Sequence, residues 1–139
     1  MNSKVAGVEY RKSGREGQGL VEFALVVPLL LLLLLGIAEV GRLWMTKNIL
    51  TGAAREAVRV AAVPPPAGSM AAASARATAL LASGGITTAG IVVTDAPAAY
   101  GNVTVRIDYN APLLFPGFIP GLGGSTFPLR GTTTMRREY

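Results

Sequence analysis

The chain lacks cysteine and histidine altogether, and these two absences remove the most common ways of building an active site. Without cysteine there is no disulfide framework, no thiolate metal ligand and no thiol nucleophile. Without histidine there is no imidazole metal ligand and no Ser-His-Asp arrangement. The composition therefore predicts a protein that is not an enzyme and that uses no cofactor and no metal.

Charge is scarce as well, because charged residues make up 15% of the 139 residues while hydrophobic residues make up 50%. This balance excludes a disordered chain and favours a membrane segment. The net charge of +5 comes with no dense run of Lys and Arg and with no interleaved aromatic residues. Nucleic acid is therefore not an expected partner. A chain of this length has room for one small domain.

The hydrophobic residues concentrate in one run near the N-terminus. Residues 23–38 carry no charge, and residues 29–35 are seven consecutive leucines. Together with the three residues that follow Gly19, the run approaches the ~20 residues that cross a bilayer as a helix. Pro28 lies inside it, and membrane helices tolerate proline when the freed backbone groups find other partners. The sequence therefore predicts one transmembrane segment over about residues 20–40.

The helical pattern continues beyond this run. Apolar residues recur at helical spacing as far as Ala61, beside a polar stripe at spacings of four. Three prolines at residues 64–66 then end the helix. We therefore predict one long helix over residues 18–63, preceded by a polar, basic leader over residues 1–17. Its apolar stripe consists of Leu43, Leu50, Ala54, Ala57 and Ala61.

The remaining residues, 64–139, predict a small α+β head. Ser69 is placed to cap a short helix that Gly84 and Gly85 end. Residues 86–94 are a weak strand candidate, whereas residues 102–110 and 126–136 alternate clearly between apolar and polar side chains. The expected fold class is α+β: the long helix, one short helix and about three antiparallel strands. Because the head is small and has no disulfide, we expect it to need the apolar stripe of the long helix.

Two interpretations of the N-terminal junction compete. A secretory signal peptide would be cut after Ala38, which follows a small residue two positions earlier, but the apolar run is longer than usual for such a signal. The alternative begins at residues 15–23, REGQGLVEF, where a basic leader precedes Gly17, and Glu22 follows five positions later. This pattern resembles the class III signal of type IV prepilins. In that signal a prepilin peptidase cuts after the glycine on the cytoplasmic side.

The resemblance extends along residues 14–62. The segments GIAEVGR at residues 36–42 and AAREAVR at residues 53–59 are similar to the TadE-like family of pseudopilins, which serve the Flp/Tad (tight adherence) pilus systems. The resemblance implies a structural component of a type IVc-like pilus in the bacterial inner membrane. It implies cleavage after Gly17, a new terminus at Gln18, and a register role for Glu22. The implied partners are the inner membrane, prepilin peptidase, other pilins or pseudopilins and the Tad assembly machinery.

Several residues have a second, simpler interpretation. Glu22 either lies at the lipid headgroups or pairs with the freed α-amino group of Gln18 on a neighbouring subunit, since an unpaired carboxylate in hydrocarbon is costly. Glu39 is expected to be a solvated residue at the membrane exit beside Arg42, and Trp44 an interfacial anchor. The charged cluster at residues 55–59 is expected to be a solvated helix face.

An unusually apolar stretch, LLFPGFIPGL, occupies residues 113–122. Either it is a flap over the sheet of the head, or it contacts other subunits. The residues that would make such a contact are Phe115, Phe118, Ile119 and Leu122.

Orientation is not decided by counting charges, because residues 1–19 and residues 40–59 contain four Lys and Arg each. The leader predicts a cytoplasmic N-terminus and an extracytoplasmic head. This orientation is compatible with a subunit that is associated with the pilus. Two other hypotheses remain open: a single-pass anchored head that binds a ligand or envelope partner, and a secreted domain released after Ala38.

Overall fold

The computed structural model describes residues 14–63, 69–95, 101–116 and 124–137. Two helices and three strands follow one another along the chain. They are α1 (Gly14–Ala62), α2 (Ser69–Ser83), β1 (Gly90–Asp95), β2 (Asn102–Pro112) and β3 (Thr126–Arg136). The predicted α+β class, with a long N-terminal helix, a short helix and three antiparallel strands, is confirmed.

Contacts divide the chain into two units, the first ending at Leu35 and the second beginning at Gly36. In the first unit, α1 runs through Pro28. From residue 17 to residue 35 every side chain is exposed except Val27 and Leu35, which are half-buried. The leucine run therefore buries almost nothing within its own unit.

In the second unit, β2 is the central strand of an antiparallel sheet with the order β1-β2-β3. The alternation predicted for β2 is confirmed, since Val103, Val105 and Ile107 are fully buried. The alternation of β3 places Phe127, Leu129 and Thr133 half-buried and Gly131 buried, while Pro128, Arg130 and Thr132 are exposed. The alternation fails at Met135, which is 39% exposed. One face of the sheet is thus covered and the other faces solvent.

Both helices pack on the covered face. Along α2 the buried residues Ser69, Ala73, Ala77 and Leu81 recur every four positions. Along α1 a set of buried residues, named here the packed stripe, joins the same hydrophobic core as the sheet. The packed stripe consists of Leu50, Ala53, Ala54, Ala57, Val58 and Ala61. The expectation that the head packs against the apolar stripe of the long helix is therefore confirmed for Leu50, Ala54, Ala57 and Ala61, while Leu43 is half-buried and lies outside this core.

The end of α2 explains why β1 is shorter than predicted. The amide of Ile86 donates to the carbonyl of Leu81 at 2.8 Å, and that of Gly85 donates to Ala82 at 3.0 Å. Gly85 has a φ of 78°. This is the Schellman arrangement, in which a glycine in the left-handed region lets the chain cap its own helix. Because Ile86 is used in the cap, the sheet begins only at Gly90.

One close approach fixes how β3 lies against α1. A Cβ on Gly131 would stand 2.7 Å from the backbone carbon and oxygen of Leu50. Only a residue without a side chain fits there, since a helix backbone cannot yield as a flexible side chain can. Gly131 therefore holds the sheet close to the packed stripe.

Candidate functional site

The predicted processing segment lies at the start of α1. Gly17, Gln18, Gly19 and Glu22 are all exposed and helical. A Cβ on Gly17 or on Gly19 would meet nothing within 4 Å. The helix begins at Gly14, so it includes the last residues of the segment predicted as the leader. Nothing in the described chain packs against this turn, and any stability that it has is local.

The apolar run after Glu22 is exposed on all sides of the helix. Leu25 is 74% exposed and Leu29 is 70% exposed. In the described part of the chain, one helix, Gly17–Ala62, is long and apolar enough to cross a membrane, judged by length and composition. Such an apolar surface needs lipid or protein neighbours, because a soluble single chain rarely exposes one of this size. The helix is therefore suited to single-pass membrane anchoring.

Directly after the run, Glu39 is 2% exposed, so the expectation that it is solvated is wrong. Its Oε1 accepts from Arg42 at 2.5 Å, and its Oε2 accepts from the amide of Leu114 at 3.1 Å. Arg42 also donates to the carbonyl of Pro112. The carboxylate escapes solvent because these donors replace water. We name this set of contacts the Glu39–Arg42 clasp.

Further along α1, two more contacts connect the helix to the sheet. Lys47 donates to the carbonyl of Arg130. Arg137, which is buried, donates to the carbonyl of Ala61 at 3.4 Å. Together with the clasp, these contacts bind α1 to the sheet at both ends of the packed stripe.

The predicted charged cluster on α1 proves to be a connection to α2. Arg59 binds Glu56 at 2.9 Å, and Arg76 of α2 reaches the same carboxylate at 3.6 Å. The hydrogen bond from Arg59, and then the charge of both guanidinium groups, lower the pKa of Glu56 despite its partial desolvation. Arg55, in contrast, is exposed as expected. The cluster is thus partly solvated and partly structural.

Beside this cluster the two helices form an open groove of about 520 Å³. Its wall combines the apolar Ile49 and Leu80 with Glu56, Arg76 and the backbone of Gly52. Glu56 and Arg76 already bind each other at one side of the groove. The rest of the groove therefore offers a shallow, mainly apolar surface.

The solvent face of the sheet carries an ion network. Asp108 binds Arg106 and Arg130, each at 2.6 Å. The hydrogen bond from Arg130 makes the largest contribution to lowering the pKa of Asp108 below its ordinary value. Thr104 and Thr134 share a hydrogen bond of 2.9 Å across β2 and β3. With one carboxylate between two arginines, this region carries net positive charge.

The apolar stretch after β2 is described as far as Pro116, so three of its four predicted contact residues, Phe118, Ile119 and Leu122, fall outside the described residues. Phe115 is 38% exposed and Leu114 is 59% exposed. The amide of Leu113 donates to Ser125 at 2.9 Å, which closes the connection between β2 and β3.

Two structural contacts were not predicted from the sequence. The ion pair of Arg76 depends on how α2 crosses α1, which no pattern within α2 indicates. The close approach at Gly131 had a possible signal, because a glycine inside a strand often marks a close backbone approach. Among the described residues, no group of three or more Asp, Glu, Cys or His side chains could hold a metal ion.

Comparison with protein families gives one match: residues 17–59 match the family model described as TadE-like protein. The resemblance inferred from the sequence is confirmed by this match, which lies within α1 and ends before α2 begins. No curated protein and no solved structure matches the chain. The match and the long apolar N-terminal helix together fit a pilin-like protein.

Proposed function

We propose, from the premise that residues 17–59 are those of a TadE-like protein, that this chain is a pseudopilin or minor pilin of a Flp/Tad pilus. It is a structural subunit and not an enzyme, and it resides in the bacterial inner membrane. The observation that carries the proposal is that the matched segment includes an apolar helical run, residues 23–38, whose side chains are nearly all exposed.

Processing is the first step of the proposed function. Prepilin peptidase cuts between Gly17 and Gln18, and a protease needs an extended backbone at the bond it cleaves. Two glycines, Gly17 and Gly19, weaken the first turns of the helix, since glycine costs about 1 kcal/mol relative to alanine within a helix. No tertiary contact opposes unwinding at Gly17 or Gly19, as nothing lies within 4 Å of a Cβ at either position.

Assembly is the second step. Once the leader is removed, apolar helices of neighbouring subunits pack side by side and replace lipid. The carboxylate of Glu22, exposed in the single chain, then pairs with the freed α-amino group of Gln18 on a neighbour. A charge left in hydrocarbon without a partner is expensive, so this pair selects one axial register. The N-terminus is cytoplasmic in this mechanism, because the peptidase acts on cytoplasmic leaders.

The decisive experiment for processing is the N-terminal residue of the protein recovered from native membranes. Gln18 supports the proposal, an intact Met1 supports a plain single-pass anchor, and Glu39 supports a domain secreted after cleavage at Ala38. Gly17→Leu should block cleavage but leave insertion intact, because the peptidase must approach a backbone without a side chain. A mature-length band from this variant on a gel would refute the class III signal.

The decisive experiment for assembly is Glu22→Gln. The amide keeps the shape of the side chain but loses its charge, and breaking a buried pair costs on the order of 3–5 kcal/mol. We expect normal processing and normal membrane level, with loss of pilus-dependent adhesion. Arg55→Gln is the matched control, since it removes the charge of an exposed residue of the same helix outside the apolar run. Unchanged adhesion in Glu22→Gln would leave Glu22 as a headgroup-level residue.

A further inference from the structure

The contacts in the second unit order the strands along α1. Arg42 meets Pro112 at the end of β2, Lys47 meets Arg130 within β3, and Ala61 meets Arg137 after β3. From Arg42 to Ala61 the helix rises about 29 Å. The eleven residues of β2 span about 33 Å. The strands therefore lie alongside this part of α1, with the connection between β2 and β3 at the end nearest Glu39.

This connection lies at the level at which the apolar run ends. Glu39 is the first charged residue after residues 23–38, and it directly accepts the hydrogen bond from the amide of Leu114. The helix leaves the hydrocarbon where its apolar run ends, at Glu39. Because residues 113–116 lie beside Glu39, they lie at the same depth in the membrane. The Glu39–Arg42 clasp fixes this depth through two contacts: Arg42 binds the carbonyl of Pro112, and Glu39 binds the amide of Leu114.

The chemistry of the connection suits a lipid surface. No charged residue occurs between residues 111 and 129, and Leu114 and Phe115 are 59% and 38% exposed. The next charged residues along α1 and β3 are basic: Arg42 and Lys47 follow Glu39 on α1, with Lys47 about 12 Å further along the helix axis, and Arg130 is the first charged residue of β3. In an anionic bilayer, apolar side chains at the interface can enter the headgroup boundary while cations further from the hydrocarbon meet the lipid charges. The apolar connection and the basic residues beyond it match this arrangement.

We propose that residues 113–116 form a second membrane contact, in which Leu114 and Phe115 enter the headgroup boundary of the bilayer beside the helix. The Glu39–Arg42 clasp positions this contact. The proposal rests on membrane anchoring by α1 and does not depend on cleavage or on a pilus role.

Leu113 is buried and belongs to the head itself, but a flap over the sheet does not account for Leu114, which is 59% exposed, or for Phe115, which is 38% exposed. The alternative is that a second subunit, instead of lipid, covers Leu114 and Phe115. The experiment distinguishes the two.

The experiment uses single cysteines, which the chain permits because it has none of its own. Leu114→Cys is labelled with nitrobenzoxadiazole, and the full chain is reconstituted into vesicles of phosphatidylethanolamine and phosphatidylglycerol at a low protein-to-lipid ratio. Met135→Cys, at the opposite end of the sheet, is the matched control on an exposed apolar residue. Leu31→Cys, in the apolar run, reports anchoring itself.

We expect the label at residue 114 to show blue-shifted emission and to lose fluorescence when nitroxide-bearing lipid is added, while the label at residue 135 shows neither. Both signals should fall in the Glu39→Gln background, with the label at residue 31 unchanged. Water-like emission at residue 114 with quenching at residue 31 would overturn the proposal, and so would a shift that appears only at high protein density. Water-like emission at residue 31 would show that α1 does not anchor the chain in the membrane, and this would overturn the premise of the proposal.

Discussion

The two halves of α1 both carry apolar side chains, but in opposite surroundings. In the apolar run, residues 23–38, leucines project on all sides and nearly all are exposed. In the packed stripe the apolar residues are mostly alanines on one side of the helix, and they are fully buried against the sheet and α2. The apolar run therefore leaves a surface that needs lipid or protein neighbours, whereas the packed stripe is covered by the head of the same chain.

The size of the side chains explains this difference. Small residues let the sheet approach the helix backbone: four of the six residues of the packed stripe are alanines, and on the sheet Gly131 lies against the backbone of Leu50. Leucine keeps neighbours at a distance and presents a large surface that lipid tails can cover. One continuous helix thus carries a covered apolar surface and an uncovered one, divided near Glu39.

The largest expected effect comes from removing the packed stripe. A fragment that begins at Pro64 loses all six of its residues and should fail to fold, because a head of this size has little core of its own. A fragment that begins at Thr46 retains them and should be folded. Far-ultraviolet circular dichroism with thermal melting checks this, and equal melting temperatures for the two fragments would show that the head folds alone.

The next effect comes from Gly131→Ala. The added Cβ would stand 2.7 Å from the backbone of Leu50, so β3 or α1 must shift. Overpacking of this kind costs about 3 kcal/mol. Gly52→Ala is the control, because a Cβ there meets nothing within 4 Å and alanine favours a helix by about 0.5–1 kcal/mol. Chemical denaturation of the full chain measures both, and a Gly131→Ala protein as stable as Gly52→Ala would contradict the close approach.

Glu39→Gln and Glu22→Gln make the same change on the two halves of the helix. Glu39 is buried in the clasp, and its loss leaves Arg42, which is 30% exposed, without its partner. We expect a destabilisation of about 2 kcal/mol, below the usual loss for a broken buried pair because Arg42 reaches water. Glu22→Gln should leave the unfolding free energy of the single chain unchanged. Equal unfolding free energies for both variants would show that the clasp contributes nothing.

Much of this architecture was predictable from periodicity. The alternation of β2 and β3 and the helical spacing of the packed stripe each follow from a single element, so local sequence was sufficient to predict them. Ala53 and Val58 were missed, because they lie beside the predicted stripe and are buried only where two elements meet on α1.

Glu39 could not be predicted for a related reason. Its burial depends on the backbone amide of Leu114 and on Arg42, which also donates to the backbone of Pro112, and backbone partners leave no pattern of side chains to detect. The roles of Gly17 and Glu22 differ again: they are predictions that the resemblance implies, and because both residues are exposed, no packing pattern could have indicated them.

The smallest expected effect concerns the exposed ion network of the sheet. Arg130, followed by Arg106, lowers the pKa of Asp108 in the folded chain below its ordinary value. Stability from this interaction is therefore present above the ordinary carboxyl pKa and is lost as the pH falls through the lower folded value. Asp108→Asn should reduce the melting temperature slightly at neutral pH and not at all at pH values below that folded value. Because all three side chains are solvated, the difference will be small and should shrink further in high salt. Melting curves of the full chain in detergent, recorded from neutral to acidic pH for variant and wild type, measure it. A gap between the two proteins that widened towards acid would reverse the sign of the argument.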